Sequence, residues 1–100
     1  MRLVFNWDPG KAQRNLAKHG VSFDEATRVF LDPLALTIFD DDHSADEDRW
    51  ITMGMVGRAK ILLVVHTHVE VTQDTVAIRI ISARRPNRNE AGQYRQEVQP

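Results

Sequence analysis

The stretch Ile78-Arg79-Ile80-Ile81-Ser82-Ala83-Arg84-Arg85 decides the fold of this chain and points to a site. The apolar, mostly β-branched residues from Val76 to Ile81 predict a strand that is covered on both faces of a sheet. Arg79 interrupts that run, and a buried guanidinium is costly unless an anion pairs with it. Either the fold or a substrate supplies that anion. Arg84 and Arg85 follow where the strand leaves the sheet, and guanidinium groups there can bind a phosphate in a two-pronged geometry.

The arginines of this strand cannot all point into one site if the strand is regular. Side chains alternate between the two faces of a strand, so Arg79 and Arg85 would share one face and Arg84 would lie on the other. Cooperation between Arg79 and Arg84 on one phosphate requires a distortion between Ile81 and Arg84. A regular strand would favour Arg79 with Arg85.

Length and composition indicate one small globular domain over residues 1–100. The chain is 42% hydrophobic and 27% charged, which is enough for one core. It has no cysteine, so disulfides, thiolate metal sites and a cysteine nucleophile are excluded. There is no leader segment and no apolar run long enough to span a bilayer, so we expect a cytoplasmic protein with no membrane partner.

Charge is segregated along the chain although the formal net charge is only -1. Residues 40–48 hold six acids and no Lys or Arg, whereas residues 79–100 hold five arginines and two acids. Residues 1–20 hold four Lys or Arg against Asp8 alone. If the two basic ends meet in space, they form a basic surface suited to a polyanion.

The remaining residues predict helices and further strands. They are, in order, a strand over residues 2–7, a helix from Pro9 to about His19, a second helix capped at Ser22 and ended by Asp32-Pro33, strands over residues 34–39, 49–56 and 60 to about 69, and a last helix that begins at Asn87 or Asn89. Turns at residues 57–59 and 72–74 join the strand over residues 49–56, the strand over residues 60 to about 69 and the strand that contains Arg79 into an antiparallel meander. The predicted fold class is therefore α+β, with an antiparallel sheet of about four to five strands, two N-terminal helices and a short C-terminal helix.

Local capping signals fix the starts and ends of the first two helices. Asp8 and Pro9 are an N-cap and a first-turn proline, and Gly20 is placed to cap the C-terminus of that helix. Ser22 and Glu25 form a capping box for the second helix.

Metal chemistry is the weaker interpretation of the acidic and histidine residues. Residues 40–48 lack the glycine and the bidentate Glu of a calcium loop, so they are predicted to form a solvated, mobile loop. His66 and His68 would point to one side of a strand and supply only two ligands, with His43 a remote third. We therefore expect no metal and no cofactor.

The remaining arginine, histidine, lysine and tyrosine residues are sufficient for metal-independent RNA cleavage. That reaction needs a base near the 2′-hydroxyl, cations that offset charge on the phosphorane-like transition state, and an acid for the leaving 5′-oxygen. Structural alternatives remain open. Arg79 could pair with a carboxylate of the fold, Arg84 and Arg85 could be solvated, and Lys18 and His19 suit the negative end of a helix dipole.

Several motifs in order along the chain resemble the BrnT toxin family. They are Phe5-Asn6-Trp7-Asp8-Pro9 with Lys11, Asn15, Lys18-His19-Gly20-Val21-Ser22-Phe23, Asp48-Arg49 before a strand, Arg79-Ile80-Ile81-Ser82-Ala83-Arg84, Glu90 and Tyr94. The sequence departs from the family pattern at Asn6, Asp48 and Pro86, where Glu, Glu and Ala are common. Pro86 is expected to alter how the last helix, which carries Tyr94, docks on the rest of the fold.

The resemblance implies a RelE-like fold and a ribonuclease toxin of a bacterial type II toxin-antitoxin module that halts translation. It also implies a BrnA-like ribbon-helix-helix antitoxin, a toxin-antitoxin hetero-oligomer, and contact with operator DNA only through the antitoxin complex. Combining the resemblance with the chemistry, we expect three arginines to act on the scissile phosphate and three further residues to be candidates for proton transfer. The catalytic set is Arg49, Arg79 and Arg84, with His66, Glu90 and Tyr94 as the proton-transfer candidates. The expected RNA-binding residues are Arg85, Lys18, His19, Lys11 and Arg88.

Two other functions are compatible with the sequence. A non-catalytic basic module could dock an acidic partner or assist a DNA-bound repressor complex, in which case Arg84 and Arg85 would serve affinity. A metal-dependent hydrolase would use His43, His66 and His68 with the acids of the loop, and a chelator would then abolish its activity.

Overall fold

The computed structural model describes residues 1–98 and builds them around one sheet. The strands are β1 (Arg2–Asn6), β2 (Leu36–Phe39), β3 (Trp50–Val56), β4 (Lys60–His66), β5 (Val69–Glu70) and β6 (Thr75–Arg84). The helices are α1 (Pro9–His19), α2 (Phe23–Ala26) and α3 (Arg88–Val98), with 3-10 turns at Thr27–Leu31 and Asp41–His43. None of the helices within residues 1–98 is long and apolar enough to cross a membrane.

The sheet is mixed, which corrects the prediction of a purely antiparallel sheet. The strand order is β1-β6-β4-β3-β2, and β5 pairs with β6 beyond the end of β4. Short connections make β4 antiparallel to β3, and β6 antiparallel to both β4 and β5, as the turn signals predict. In contrast, β1 runs parallel to β6, from Arg2 opposite Thr75 to Asn6 opposite Arg79. No turn joins these two strands, so local signals could not fix their relative direction.

The caps of the N-terminal helices form as predicted. Asp8 accepts a hydrogen bond from the Lys11 N–H at 2.9 Å, and Gly20 takes the left-handed conformation, with φ of 70°, that closes α1. The hydroxyl of Ser22 accepts from the Glu25 N–H at 3.0 Å. The predicted second helix, however, is α-helical only in α2 and continues as the 3-10 turn Thr27–Leu31. The hydroxyl of Thr27 bonds to a backbone carbonyl within α2, which competes with regular helical bonding.

The two faces of the sheet are covered differently. The segment from α1 to the 3-10 turn Thr27–Leu31 packs on one face and encloses the main core, whose buried members are Val21, Phe23, Ala26, Val29, Val56, Leu62, Val64, Val76, Ile78, Ile80 and Ala83. On the opposite face, Tyr94 of α3 packs with Met53 and Ile61 at one end of the sheet. We call the remainder of that second face, which α3 does not cover, the open face.

A β-bulge at Ile81 changes which residues of β6 reach the open face. Arg84 lies opposite Leu63 and Ser82 opposite Val65, but the next residue of β4, His66, lies opposite Ile80. Ile81 is therefore the extra residue of β6, and the buried positions shift from Val76, Ile78 and Ile80 to Ala83. As a result, Arg79 and Arg84 share the open face. The distortion that their cooperation requires is present.

The buried side chain of Asn15 secures the chain after the bulge. Its Nδ2 donates to the carbonyl oxygens of Ala83 and Val21 at 2.8 and 3.0 Å, and its Oδ1 accepts from the Ala83 N–H at 3.1 Å. Strand β1 ends at Asn6, before it can reach this part of β6. The amide of Asn15 thus replaces a neighbouring strand and satisfies both backbone groups of Ala83.

The contact between Gly54 and Val29 gives a test of the packing. A Cβ on Gly54 would lie 2.9 Å from the Val29 carbonyl oxygen and 3.1 Å from its Cβ. We expect Gly54→Ala to lower the free energy of unfolding in urea by about 1–3 kcal/mol, because backbone must move to relieve the overlap. The control is Gly92→Ala in α3, where nothing lies within 4 Å, and it should add about 0.5–1 kcal/mol. A Gly54→Ala variant as stable as the parent chain would contradict this packing.

Candidate active site

A cleft of about 400 Å³ lies on the open face beside the bulge. We call it the arginine cleft. Its walls come from β3, β4, β6 and the acidic loop, and its lining residues are Asp40, Asp42, His43, Arg49, Ile51, Leu63, Val65, Ile81, Ser82 and Arg84. The cleft combines an apolar floor with charged walls, an arrangement that strengthens electrostatic interactions with a bound ion.

Arg79 pairs with a carboxylate from the acidic loop. Its Nη2 donates to both carboxylate oxygens of Glu47, and the Nε of Arg49 lies 3.8 Å from Glu47 Oε1. The Arg79 hydrogen bond holds the pKa of Glu47 below its usual range. Both members of the pair remain accessible, with 35% of the Arg79 side chain and 39% of the Glu47 side chain exposed. The fold therefore supplies an anion for Arg79, but one that solvent and solutes can reach.

The acidic loop, predicted to be solvated and mobile, is closed by hydrogen bonds at its base. The hydroxyl of Ser44 donates to the Asp40 carbonyl at 2.5 Å and accepts from the Arg49 N–H at 3.0 Å, while the Asp40 N–H donates to the Arg49 carbonyl at 2.9 Å. Among the polar side-chain atoms of the described residues, Arg49 Nε is the buried one that lacks a hydrogen-bond partner. The guanidinium of Arg49 therefore keeps an unused donor at the wall of the cleft.

Arg84 is oriented by Glu90 through two parallel hydrogen bonds of 2.8 and 2.9 Å. Glu90 also accepts from the Asn87 N–H at 2.8 Å, and Asn87 Oδ1 accepts from the Glu90 N–H at 2.9 Å, which makes Asn87 rather than Asn89 the cap of α3. The bonds from Arg84 lower the pKa of Glu90 and raise that of Arg84 itself. Glu90 is therefore an ionised group that is fixed by the helix start.

A second cleft of about 330 Å³ lies between α1 and β6. We call it the helix cleft, and its lining residues are Lys11, Arg14, Asn15, Lys18, His19, Ile81 and Ser82. It brings together Lys11, Lys18 and His19, three of the predicted RNA-binding residues, with the additional cation Arg14. Ile81 and Ser82 line both clefts, so the basic N-terminal helix meets the arginine strand at the bulge. Arg85 and Arg88 are exposed and line neither cleft.

His66 lies outside the arginine cleft, so its assignment to proton transfer is not supported by its position. Its side chain lies on the core face and is 1% exposed. Nε2 is 2.7 Å from the Thr52 hydroxyl and Nδ1 is 2.9 Å from the Thr67 carbonyl, while the ring packs edge-on against Phe30. Burial lowers the pKa of His66. Because β4 ends at His66, strand alternation does not extend to the exposed His68.

The structure also places Tyr94 away from the cleft. It is buried under α3 beside Met53, and its hydroxyl donates to Asp32. Burial and the hydrogen bond to Asp32 raise the pKa of Tyr94 to about 12. Burial opposes ionisation of Asp32, but bonds from the Met55 N–H and from Tyr94 hold the pKa of this carboxyl below its usual range. Tyr94 therefore anchors α3 to the sheet.

Glu47 was missed by reasoning from the sequence, and His43 was considered there only as a metal ligand. Glu47 contacts Arg79, and His43 lines the arginine cleft with its Nδ1 3.0 Å from Asp40 Oδ2. Both belong to the loop that the acidic composition assigned to solvent. The signal that could have found them is the need of Arg79 for an anion in a chain whose acids are concentrated in one segment.

The histidines of the metal-dependent alternative do not converge. His66 lies in the core, whereas His43 lies on the acidic loop. Within residues 1–98, no group of three or more His, Asp or Glu side chains is placed to hold a metal ion.

The fold and the two clefts define a small α+β protein that gathers basic side chains around the bulge of β6. A family model described as "Ribonuclease toxin, BrnT, of type II toxin-antitoxin system" matches residues 7–90. The chain is similar to the solved structure of the Brucella abortus ribonuclease toxin, BrnT, at a TM-score of 0.63 and 27% identity, over 88% of this chain and 100% of that one. No curated protein sequence matches it.

The chain therefore belongs to the BrnT family of ribonuclease toxins of type II toxin-antitoxin systems. It is a toxin with ribonuclease activity, and such a module includes an antitoxin as its partner.

Buried His66 gives a test of its structural role. The unfolded ring takes up a proton near pH 6.5, whereas the folded ring resists protonation, so stability is full above that pH and falls as the pH drops toward the folded-state pKa. We expect His66→Gln to reduce the slope of unfolding free energy against pH between about 6.5 and 5.5, by up to ~1.4 kcal/mol per pH unit. Gln73→Ala, in the exposed turn before β6, is the control, because it removes no titratable group and should keep the parent slope. An unchanged slope in His66→Gln would contradict the buried, neutral ring.

Proposed function

We propose that the chain is a metal-independent endoribonuclease with a RelE-like fold that cleaves RNA in the arginine cleft by attack of a 2′-hydroxyl on the adjacent phosphate. The observation that supports this most strongly is the bulge at Ile81. It puts Arg79 and Arg84 on the same face of the sheet as Arg49.

The three guanidinium groups suit the charge that develops during this reaction. Attack on a phosphodiester increases negative charge on the phosphorane oxygens, and preorganised cations beside an apolar floor stabilise that charge more than water does. Arg49 has an unused Nε donor, and Arg79 is held by an exposed carboxylate that a phosphate can replace. Arg84 is oriented by Glu90 at the same cleft. Arg79 and Arg84 would clamp the scissile phosphate, and Arg49 would assist.

The flanking nucleotides would follow the basic surface beyond the scissile phosphate. The helix cleft shares Ile81 and Ser82 with the arginine cleft, so a strand that leaves one cleft enters the other. Lys11, Lys18 and His19 would bind flanking phosphates there. Arg85 and Arg88, which are exposed next to the end of β6, would extend this surface on the other side of the cleft.

Membership of the family supports a proposal for the partner and the location. We propose a BrnA-like ribbon-helix-helix antitoxin that forms a hetero-oligomer with this toxin and makes the contacts to operator DNA. Acidic side chains of such a partner would complement the cations of the helix cleft and block access to RNA. The activity would inhibit translation in the cytoplasm, where messenger RNA is located.

Removal of Arg79 tests the assignment of the site. We expect Arg79→Ala to lower cleavage of a messenger RNA in a cell-free translation extract by about 100-fold or more, because transition-state charge loses a preorganised cation. Its circular dichroism spectrum should match that of the parent chain. The control is Arg58→Ala, which removes an exposed cation from the β3–β4 turn and should leave cleavage within about threefold. Undiminished cleavage by Arg79→Ala would overturn the proposed site, and no cleavage by the parent chain would favour the non-catalytic binding module.

A chelator tests the metal-independent chemistry. Cleavage of purified messenger RNA by the parent chain should persist at the same rate in excess EDTA, because the arginines supply the positive charge that a divalent ion would otherwise provide. If the chain cleaves RNA only on ribosomes, cleavage of ribosome-bound RNA is compared with and without chelators that are selective for zinc and manganese. The magnesium concentration is held constant, because ribosomes require it. If the chelator abolishes cleavage and added metal restores it, the metal-dependent alternative is supported.

A further inference from the structure

The reaction needs a base, and the proton-transfer candidates from the sequence do not provide one. His66 and Tyr94 are buried outside the arginine cleft. Glu90 contacts Arg84 but does not line the cleft, and its two oxygens are occupied by Arg84 and by the Asn87 N–H that starts α3. A group that removes a proton must have an oxygen or nitrogen free to approach the substrate.

Glu47 also contacts an arginine of the site but, unlike that of Glu90, its carboxylate does not cap a helix or close a loop. Within residues 1–98 its hydrogen bonds go to Arg79 alone, and they join two exposed side chains. The hydrogen bonds that close the loop use Ser44, Asp40 and the backbone of Arg49, so they do not depend on the Glu47 carboxylate. Glu47 can therefore leave Arg79 while the loop keeps its conformation.

Charged groups from three parts of the fold face Glu47. Arg79 of β6 and Arg49, the residue before β3, contact or approach its carboxylate, and Lys11 of α1 adds a favourable charge from the helix cleft. On its own loop, His43 and Asp46 line the same small pocket. The Arg79 hydrogen bond lowers the pKa of Glu47, so the carboxylate is ionised near neutral pH.

We propose that Glu47 is the general base of the cleavage, an assignment that rests on the proposed function. A phosphate that binds Arg79 replaces the carboxylate and leaves it beside the sugar that carries the scissile phosphate. Glu47 then accepts the proton of the 2′-hydroxyl as O2′ forms a bond to phosphorus. The bond from phosphorus to O5′ breaks, and the leaving oxygen takes a proton, which gives a 2′,3′-cyclic phosphate and a 5′-hydroxyl.

His43 is the imidazole placed to donate that proton to O5′. It lines the arginine cleft with Arg84 and shares a smaller pocket with Glu47. The carboxylate of Asp40 lies 3.0 Å from its Nδ1 and orients the ring, which is the arrangement expected of a general acid whose other nitrogen faces the substrate.

The test is a separation of binding from cleavage in Glu47→Gln. Cleavage of messenger RNA in a cell-free translation extract should fall by about 100-fold or more, the usual contribution of a general base. Binding of a single-stranded DNA oligonucleotide, measured by fluorescence anisotropy, should become tighter, because a neutral amide competes less with phosphate for Arg79. A misfolded variant would lose both cleavage and DNA binding. Slower cleavage together with tighter DNA binding therefore identifies Glu47 as the base. Glu47→Asp should recover part of the cleavage.

The matched control is Asp48→Asn, which removes the same charge one residue along the chain from an exposed side chain that lines neither cleft. It should cleave within about threefold of the parent chain. If Arg79→Ala loses cleavage and Glu47→Gln keeps it, Glu47 is only a displaced counter-ion and the assignment is wrong. If Arg79→Ala keeps cleavage, the proposed site itself fails. For the acid, His43→Gln should lose cleavage tenfold or more, and an unchanged rate would remove His43 from the mechanism.

Discussion

The alternation of side chains along a β-strand is the constraint on which this structure depends. A strand that presents Val76, Ile78 and Ile80 to the core would, if regular, turn Ser82 and Arg84 toward the core as well. The extra residue at Ile81 reverses the alternation, so that Ala83 enters the core and Arg84 joins Arg79 on the open face. A bulge costs ladder hydrogen bonds. The amide of Asn15 offsets part of that cost by bonding both backbone groups of Ala83.

The reversed alternation concentrates positive charge on one face of a neutral-looking protein. Arg49, which precedes β3, and Arg79 and Arg84 of β6 would repel one another, and two carboxylates offset this repulsion in different ways. Glu90 is fixed at the start of α3 by Asn87, so it orients Arg84 permanently. The carboxylate of Glu47 is hydrogen-bonded by Arg79 and lies 3.8 Å from Arg49 Nε, and we propose that a phosphate can replace it. We infer that the fixed partner keeps Arg84 in place, whereas the exchangeable partner gives an anion access to Arg79.

Local features of the fold could be predicted from the sequence, and long-range features could not. The caps at Asp8, Gly20 and Ser22 depend on residues within one turn and formed as predicted. The direction of β1 depends on pairing with residues more than 70 positions away, and no local signal specifies it. Tyr94 likewise owes its burial to Asp32, which lies 62 residues earlier. The family resemblance, by contrast, rested on motifs spread over the chain, and the family match over residues 7–90 confirms it. Alternation alone shows that Arg79 and Arg84 can cooperate only if the strand is distorted between Ile81 and Arg84. The presence of that distortion could be seen only in the pairing of β6 with β4.

The most direct test of the central claim is an NMR titration that follows the Nε–Hε signals of the arginine side chains. The ligand is a 2′-O-methyl RNA oligonucleotide, which binds as RNA does but has no free 2′-hydroxyl for the proposed attack. Because the bulge puts Arg79 and Arg84 on one face beside Arg49, their three signals should shift together and saturate at one ligand concentration. A shift of the Arg79 signal together with that of Arg85, while the Arg84 signal stays unchanged, would contradict a shared site for Arg79 and Arg84. The absence of any shift of the Arg79 signal would contradict it as well.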